Sequence, residues 1–170
     1  MDRPALTRSV GLTTDVGAAW LGMLFAAPAA TAATAECPAP VLAATQTADS
    51  TASCSASSGA GGAAAAYGFD ADATADAAPN SLSLAIAQNG GVATSNSTYL
   101  SGPAAIAVGP GATVTTTGAR PGLSIGIAGP GATVTVTGTS TPTCAGGFGF
   151  AGDFQTLQGL LFASIVHRCA

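Results

Sequence analysis

The decapeptide GPGATVTTTG (Gly109–Gly118) returns as GPGATVTVTG (Gly129–Gly138), and a looser copy of the same outline precedes both. Aligning LSLAIAQNGGVATSNST, AAIAVGPGATVTTTG and LSIGIAGPGATVTVTG puts their turns at Asn89–Val92, Gly109–Ala112 and Gly129–Ala132, in steps of 20 residues. Each copy is an apolar alternating run, a tight Gly-containing turn and a second alternating run. Period-2 alternation sends one set of side chains to one face of a strand. Recurrence at this spacing predicts coils that stack, each supplying two short strands to a β-solenoid. The competing expectation is an Ala/Gly/Thr chain whose duplicated repeats never fold.

The predicted fold is therefore all-β, a short β-solenoid or β-roll of about three 20-residue coils over residues 80–143. A Cys-containing small-residue segment (36–79) precedes it, with SASSGAGG (Ser55–Gly62) as a connector and AAAAYGFDADATADAA (Ala63–Ala78) as an entry strand. Leu84, Ile86, Ile106, Val108, Ile125 and Ile127 form the expected inward set, with Val114, Val134 and Val136. The apolar run of the last copy lies one residue further from its turn, which predicts a bulge. Pro103, Pro110, Pro121 and Pro130 fall between alternating runs, where they break no ladder. After Cys144 a C-terminal cap (144–170) is expected. Phe154, Leu157, Leu161 and Ile165 have the spacing of one helical face, with Asp153 as N-cap.

Composition limits what such a chain can bury. It is 48% hydrophobic, but only 5% aromatic and 7% charged, so most of the apolar count is alanine. Small side chains suit a narrow coil but bury little area each, so backbone ladders and covalent staples must contribute. Cys37, Cys54, Cys144 and Cys169 flank the repeats in two pairs, and the economical pairing is Cys37–Cys54 with Cys144–Cys169. No C-x2-C spacing supports zinc. The formal charge of −4 without a lysine argues against nucleic acid and against anionic lipid surfaces.

The N-terminus reads as an export leader, residues 1–35. Arg3 and Arg8 precede the apolar stretch Val16–Ala27, and Ala30–Ala32 and Ala33–Ala35 both spell the small-x-small pattern Ala-Thr-Ala. Cleavage after Ala35 is the favoured expectation and cleavage after Ala32 the alternative. All four cysteines then lie in an exported chain, where disulfides persist.

Three patterns suggest chemistry. GLSIG (Gly122–Gly126) matches the G-x-S-x-G nucleophile elbow, and Ser124, Asp153 and His167 follow in Ser…Asp…His order. An elbow needs a strand, a sharp turn and a helix, yet a repeat copy follows Ser124. Asp70, Asp72 and Asp76 resemble part of a calcium loop that lacks its Gly and has Ser81 in place of its Glu. Thr113, Thr115, Thr117 and Thr133, Thr135, Thr137 form two stacked Thr-x-Thr-x-Thr rows, with Ala93, Ser95 and Ser97 expected beside them. These rows resemble the flat threonine faces of ice-binding β-helical proteins. Asn96–Thr98 is a glycosylation sequon in form.

AIAVGPGA (Ala105–Ala112) resembles the repeats in the β-roll heads of trimeric autotransporter adhesins. The whole layout, a leader, a Cys pair, AYGFD (Ala66–Asp70), Ala/Gly repeats and a late Cys near FAGDF (Phe150–Phe154), resembles small exported mycobacterial proteins of unknown function. That resemblance implies secretion and a bacterial cell-envelope setting, and it implies no activity. The expected function is a non-enzymatic structural or surface-interaction protein without cofactor or metal. Its expected partner is an envelope polymer, a surface protein or a second copy, with no membrane span remaining after cleavage. A secreted serine hydrolase using Ser124 and an ice-binding-like threonine face are the alternatives.

Overall fold

The computed structural model describes residues 32–154, and within them there are thirteen β-strands and no helix. Sheet A holds β1 (Thr34–Ala39), β4 (Ala63–Phe69), β6 (Leu82–Gln88), β8 (Ser101–Val108), β10 (Gly122–Ala128) and β13 (Gly149–Asp153), in that spatial order. Sheet B holds β12 (Thr143–Ala145), β11 (Thr133–Val136), β9 (Thr113–Gly118), β7 (Val92–Ser97), β5 (Asp72–Ala77), β3 (Ala52–Ser58) and β2 (Ala44–Asp49). From β3 to β11 the chain alternates between the sheets, and every neighbouring pair within this run is parallel. This is a β-solenoid of about four turns. At both ends the chain reverses. β1 and β2 pair antiparallel with β4 and β3, and β13 and β12 pair antiparallel with β10 and β11.

Tight turns make each coil narrow. Gly91, Ala112 and Ala132 donate backbone N–H bonds to Gln88, Gly109 and Gly129 on one edge, at 3.1, 3.1 and 3.0 Å. Gly62, Ser81 and Ser101 do the same to Gly59, Ala78 and Thr98 on the other edge. In Gly109–Ala112 and Gly129–Ala132, proline precedes a glycine with φ 71° (Gly111) or 70° (Gly131), as a type II turn requires. The turns stack as the repeats predict: Gly131 N–H donates to the Pro110 carbonyl at 3.0 Å.

A four-residue turn holds its ends within about 7 Å, whereas ordinary packed sheets lie about 10 Å apart. The interior therefore takes small side chains. Cys37, Ala66, Ala85, Ala105, Gly126 and Ala151 form one inner column of sheet A. Cys54, Ala73, Ala93, Val114, Val134 and Cys144 form the facing kind of column in sheet B. The expected phase holds for Val114, Val134 and Val136, each fully buried. It is reversed in sheet A: Leu84, Ile86, Ile106, Ile125 and Ile127 are half-buried on the outer face and Val108 is exposed, while Ala85, Ala87, Ala105 and Ala107 face inward. Size decides this inversion, because a Leu or Ile inside would force the sheets apart.

Several further expectations are corrected. The Ser55–Gly62 stretch is the greater part of β3 plus its turn, and Ala63–Ala78 is two strands, β4 and β5, on opposite sheets. The coils thus begin at Ala52. Offsets between stacked rungs range from 19 residues (Ser53 with Asp72) to 21 (Val92 with Thr113). The expected bulge before the Gly129 turn is absent: Ile106 pairs with Ile127, so in the observed register the odd residue belongs to the coil before Gly109. The β8–β10 ladder runs unbroken, and the residue is absorbed in the turn at Gly109, whose φ of 101° suits glycine. Pro103 lies within central strand β8, and β6 pairs with β8 only from Leu84–Ala104 onward. Having no N–H to offer the ladder, Pro103 contributes its carbonyl, which accepts a bond from Ser95 Oγ at 3.0 Å.

Cys37 of β1 and Cys54 of β3 join the two sheets, with a Cα–Cα distance of 5.8 Å. Cys144, at the far end of the inner column, is also disulfide-bonded. Cys169 and His167 lie outside the described residues, as does the expected leader up to Thr31. The helix expected over Phe154–Ile165 lies there too beyond Phe154, which is an exposed turn residue donating its N–H to the Leu123 carbonyl at 3.0 Å, and its expected N-cap, Asp153, is the buried last residue of β13.

Candidate interaction face

The roll has two outer faces of opposite character. On sheet A, Tyr67, Ile86, Ile106, Ile127 and Phe150 form one continuous column across five strands. Beside it, Ala65, Leu84, Ala104 and Ile125 form a second. Leu82 and Leu123 extend the face toward the opposite edge and are 61% and 58% exposed. Leu82, Leu84 and Ile86 make a ridge along β6, and Leu123, Ile125 and Ile127 make another along β10. Between them, Gly102 and Ala104 of β8 floor an open apolar groove of about 360 Å³. A Cβ on Gly102 would sit 3.0 Å from Leu123 Cδ2, so this glycine keeps the groove open.

The outer face of sheet B is polar. Its middle column is Ser55, Thr74, Thr94, Thr115, Thr135 and Thr143. The sequence rows were correct for Thr113, Thr115, Thr117, Thr133 and Thr135. Thr137 lies past the end of β11 and hydrogen-bonds Ser140 at 2.8 Å. In β7 it is Val92, Thr94 and Asn96 that face outward; Ala93, Ser95 and Ser97 are buried. Buried Ser95 is satisfied through Ser83 at 2.8 Å and the Pro103 carbonyl.

Asp70, Asp72 and Asp76 do not converge. Asp72 accepts a bond from Ser53 Oγ at 2.5 Å, and Asp76 accepts one from Ser57 Oγ. Asp70 lies in the β4–β5 turn at φ 48°. Its Oδ1 accepts bonds from Thr51 Oγ1 at 2.6 Å and from the Ala33 N–H at 2.8 Å. The Thr51 bond and then the Ala33 bond hold its carboxyl below its ordinary pKa, against a smaller opposing push from burial. Among the described residues no three His, Cys, Asp or Glu side chains are grouped to hold a metal ion.

Ser124 sits within β10, paired with Pro103 on one side and Asp153 on the other. It is a buried rung position, with no strand–turn–helix elbow around it. Its Oγ finds no hydrogen-bond partner among the described residues. No helix among the described residues is long and apolar enough to cross a membrane.

Fold and faces together define a disulfide-stapled β-solenoid with one apolar and one polar outer face. The chain belongs to the Family of unknown function (DUF6764), whose model matches residues 3–162. No curated protein and no solved structure matches it. Alternation alone does not reveal the apolar face, because large aliphatic residues on one phase of a strand ordinarily mark its interior side. The available signal was the alanine run on the opposite phase of the same strands.

Proposed function

We propose that this protein is an exported, non-enzymatic structural module of a bacterial cell envelope that works by packing its sheet A face against a second copy. One observation carries the reading: the large aliphatic side chains of sheet A lie on the outside of the roll. The apolar columns cross five strands at about 4.8 Å spacing, and seven residues at about 3.3 Å give a face of roughly 19 by 22 Å. That is on the order of 400 Å² before ruggedness is counted, within the range of the largest patches monomers leave exposed. A dimer formed on this face alone belongs to the small, weak class of interfaces, below the roughly 800 Å² per partner of a standard one.

The relief of the face is self-complementary, since the ridge along β6 or β10 of one copy matches the groove over β8 of another. The acidic net charge and absence of lysine disfavour an anionic bilayer as the occupant. Export is supported by the leader-like N-terminus, by the disulfides and by the resemblance to exported mycobacterial proteins.

Sedimentation equilibrium of the exported protein, with a fractionation of medium and envelope, tests the reading. Wild type is expected to dimerise as concentration rises and to be retained by the envelope. Ile106→Lys, on the outer column, is expected to stay monomeric, keep its β circular dichroism and be released. A monomeric wild type taken up by neutral phosphatidylcholine vesicles would replace the second copy with lipid. A monomeric wild type with no surface affinity would overturn the reading.

A second reading rests on the five-threonine column from Thr74 to Thr143, a regular array of methyls and hydroxyls one strand spacing apart. On this reading the face orders water and binds ice. Ice recrystallisation inhibition lost on Thr115→Lys would support it, and no inhibition by wild type would remove it.

A further inference from the structure

Two Ala-Thr-Ala sites compete as the place where a leader is cut, and the sequence favours the second. The fold uses the residues between them. Thr34 pairs with Phe69 and Ala35 with Gly68 in the β1–β4 ladder. Ala35 is fully buried, at the end of an inner column. Just before β1, Ala33 and Asp70 make a reciprocal pair: Ala33 N–H donates to Asp70 Oδ1 at 2.8 Å, and Asp70 N–H donates to the Ala33 carbonyl at 2.8 Å. Cutting after Ala35 would delete both bonds and the first two rungs of β1, and would uncover the core. Cutting after Ala32 deletes none of them.

We propose that the leader is removed between Ala32 and Ala33, and that the new α-ammonium of Ala33 seats on the carboxylate of Asp70. The proposal rests on the export reading above. The step is a hydrolysis by a leader peptidase: water adds to the Ala32 carbonyl carbon, the C–N bond to Ala33 breaks, the water oxygen stays on Ala32 as part of its carboxylate, and both water protons end on the Ala33 nitrogen. At neutral pH the nitrogen that was an amide donor becomes a cation with three donors. It already lies at hydrogen-bond distance from a carboxylate oxygen that also holds Thr51 Oγ1. Processing thereby converts a neutral contact into an ion pair that ties the chain start to the β4–β5 turn. Asp70 also accepts the Gly90 N–H through its carbonyl at 2.7 Å, so the same turn is fixed to the next coil.

The test uses the full chain expressed in an exporting bacterial host. Intact mass and N-terminal sequencing of the exported protein are expected to begin at Ala33. A start at Glu36 would overturn this inference while leaving the export reading standing. An exported chain that keeps Met1 would overturn this inference alone, and a chain retained in the cytoplasm would overturn both. The ion pair is read separately, by NMR titration of the Ala33 α-amino group. Its pKa is expected about half a unit above the ordinary α-amino value of roughly 8, returning to that value in Asp70→Asn. Should Asp70→Asn not fold, Asp70→Ser is titrated in its place. An α-amino pKa equal in wild type and the folded variant would remove the ion pair.

Discussion

Adding one methyl group inside the roll is expected to destabilise it, although alanine ordinarily suits folded backbone better than glycine. Gly126 occupies the inner face of β10 between Ala105 and Ala151. A Cβ there would lie 2.7 Å from Val114 Cγ1, 2.9 Å from Thr116 Oγ1 and 3.2 Å from Val134 Cγ1. Carbon atoms prefer about 3.5–4.0 Å, so the sheets must part by close to 1 Å or three side chains must turn. All three are β-branched and stiff at χ1, and Thr116 is further held by its bond to the Ala104 carbonyl at 3.2 Å.

Overpacking of this kind costs about 1–3 kcal/mol. The loss of unfolded-state freedom on replacing glycine offsets about 0.4–1 kcal/mol. The net expectation for Gly126→Ala is a destabilisation of roughly 1–2 kcal/mol, read from urea unfolding followed by β circular dichroism. A double-mutant cycle isolates the cause. Gly126→Ala combined with Val114→Ala is expected to lose less than the sum of the single changes, by about 0.5–2 kcal/mol, because the second change clears the space the first one needs. A Gly126→Ala protein as stable as wild type, or strictly additive changes, would refute the argument that a narrow interior selects small residues.

Alkylation of the exported protein without reductant is expected to label none of its cysteines. Reduction of Cys37–Cys54, a loop of 17 residues, is expected to cost about 3 kcal/mol on the chain-entropy model, measured by urea midpoints. Because the folded-state pKa of Asp70 is lowered, the unfolded chain binds its proton more readily, and stability from this group is present above its ordinary pKa of 3.8 and lost as pH falls through the folded value. Asp70→Asn is therefore expected to flatten the acid limb of a stability-against-pH curve, and an unchanged limb would count against the Thr51 and Ala33 bonds. Ser124→Ala is expected to remain folded, and a fluorophosphonate probe is expected to leave wild type unlabelled. Labelling that disappears in the variant would restore the hydrolase alternative.

The repeat period determined the architecture, since strand pairs joined by Gly and Pro turns at 20-residue spacing can satisfy their backbone groups by stacking coil on coil. Turn positions at Gly109 and Gly129, the inward phase of Val114 and Val134, and the Cys37–Cys54 staple were all legible from residue type and spacing. What faces inward on sheet A was not. Alternation says only that two sets of side chains part company, and the usual preference chose Leu84, Ile106 and Ile127 for the core. The separation of the sheets, set by four-residue turns at both edges of the stacked coils, reserved that space for Ala85, Ala105 and Gly126. The first coils were equally hidden, because Ala52–Ala77 shares its register with the later repeats but not their letters. Residues such as Ala56 and Ala75 stack as well as Thr116 and Val136 once the ladder is formed. The role of Ala33–Ala35 lay furthest from the sequence, since it depends on Gly68 and Asp70 arriving beside them only when the first coil closes.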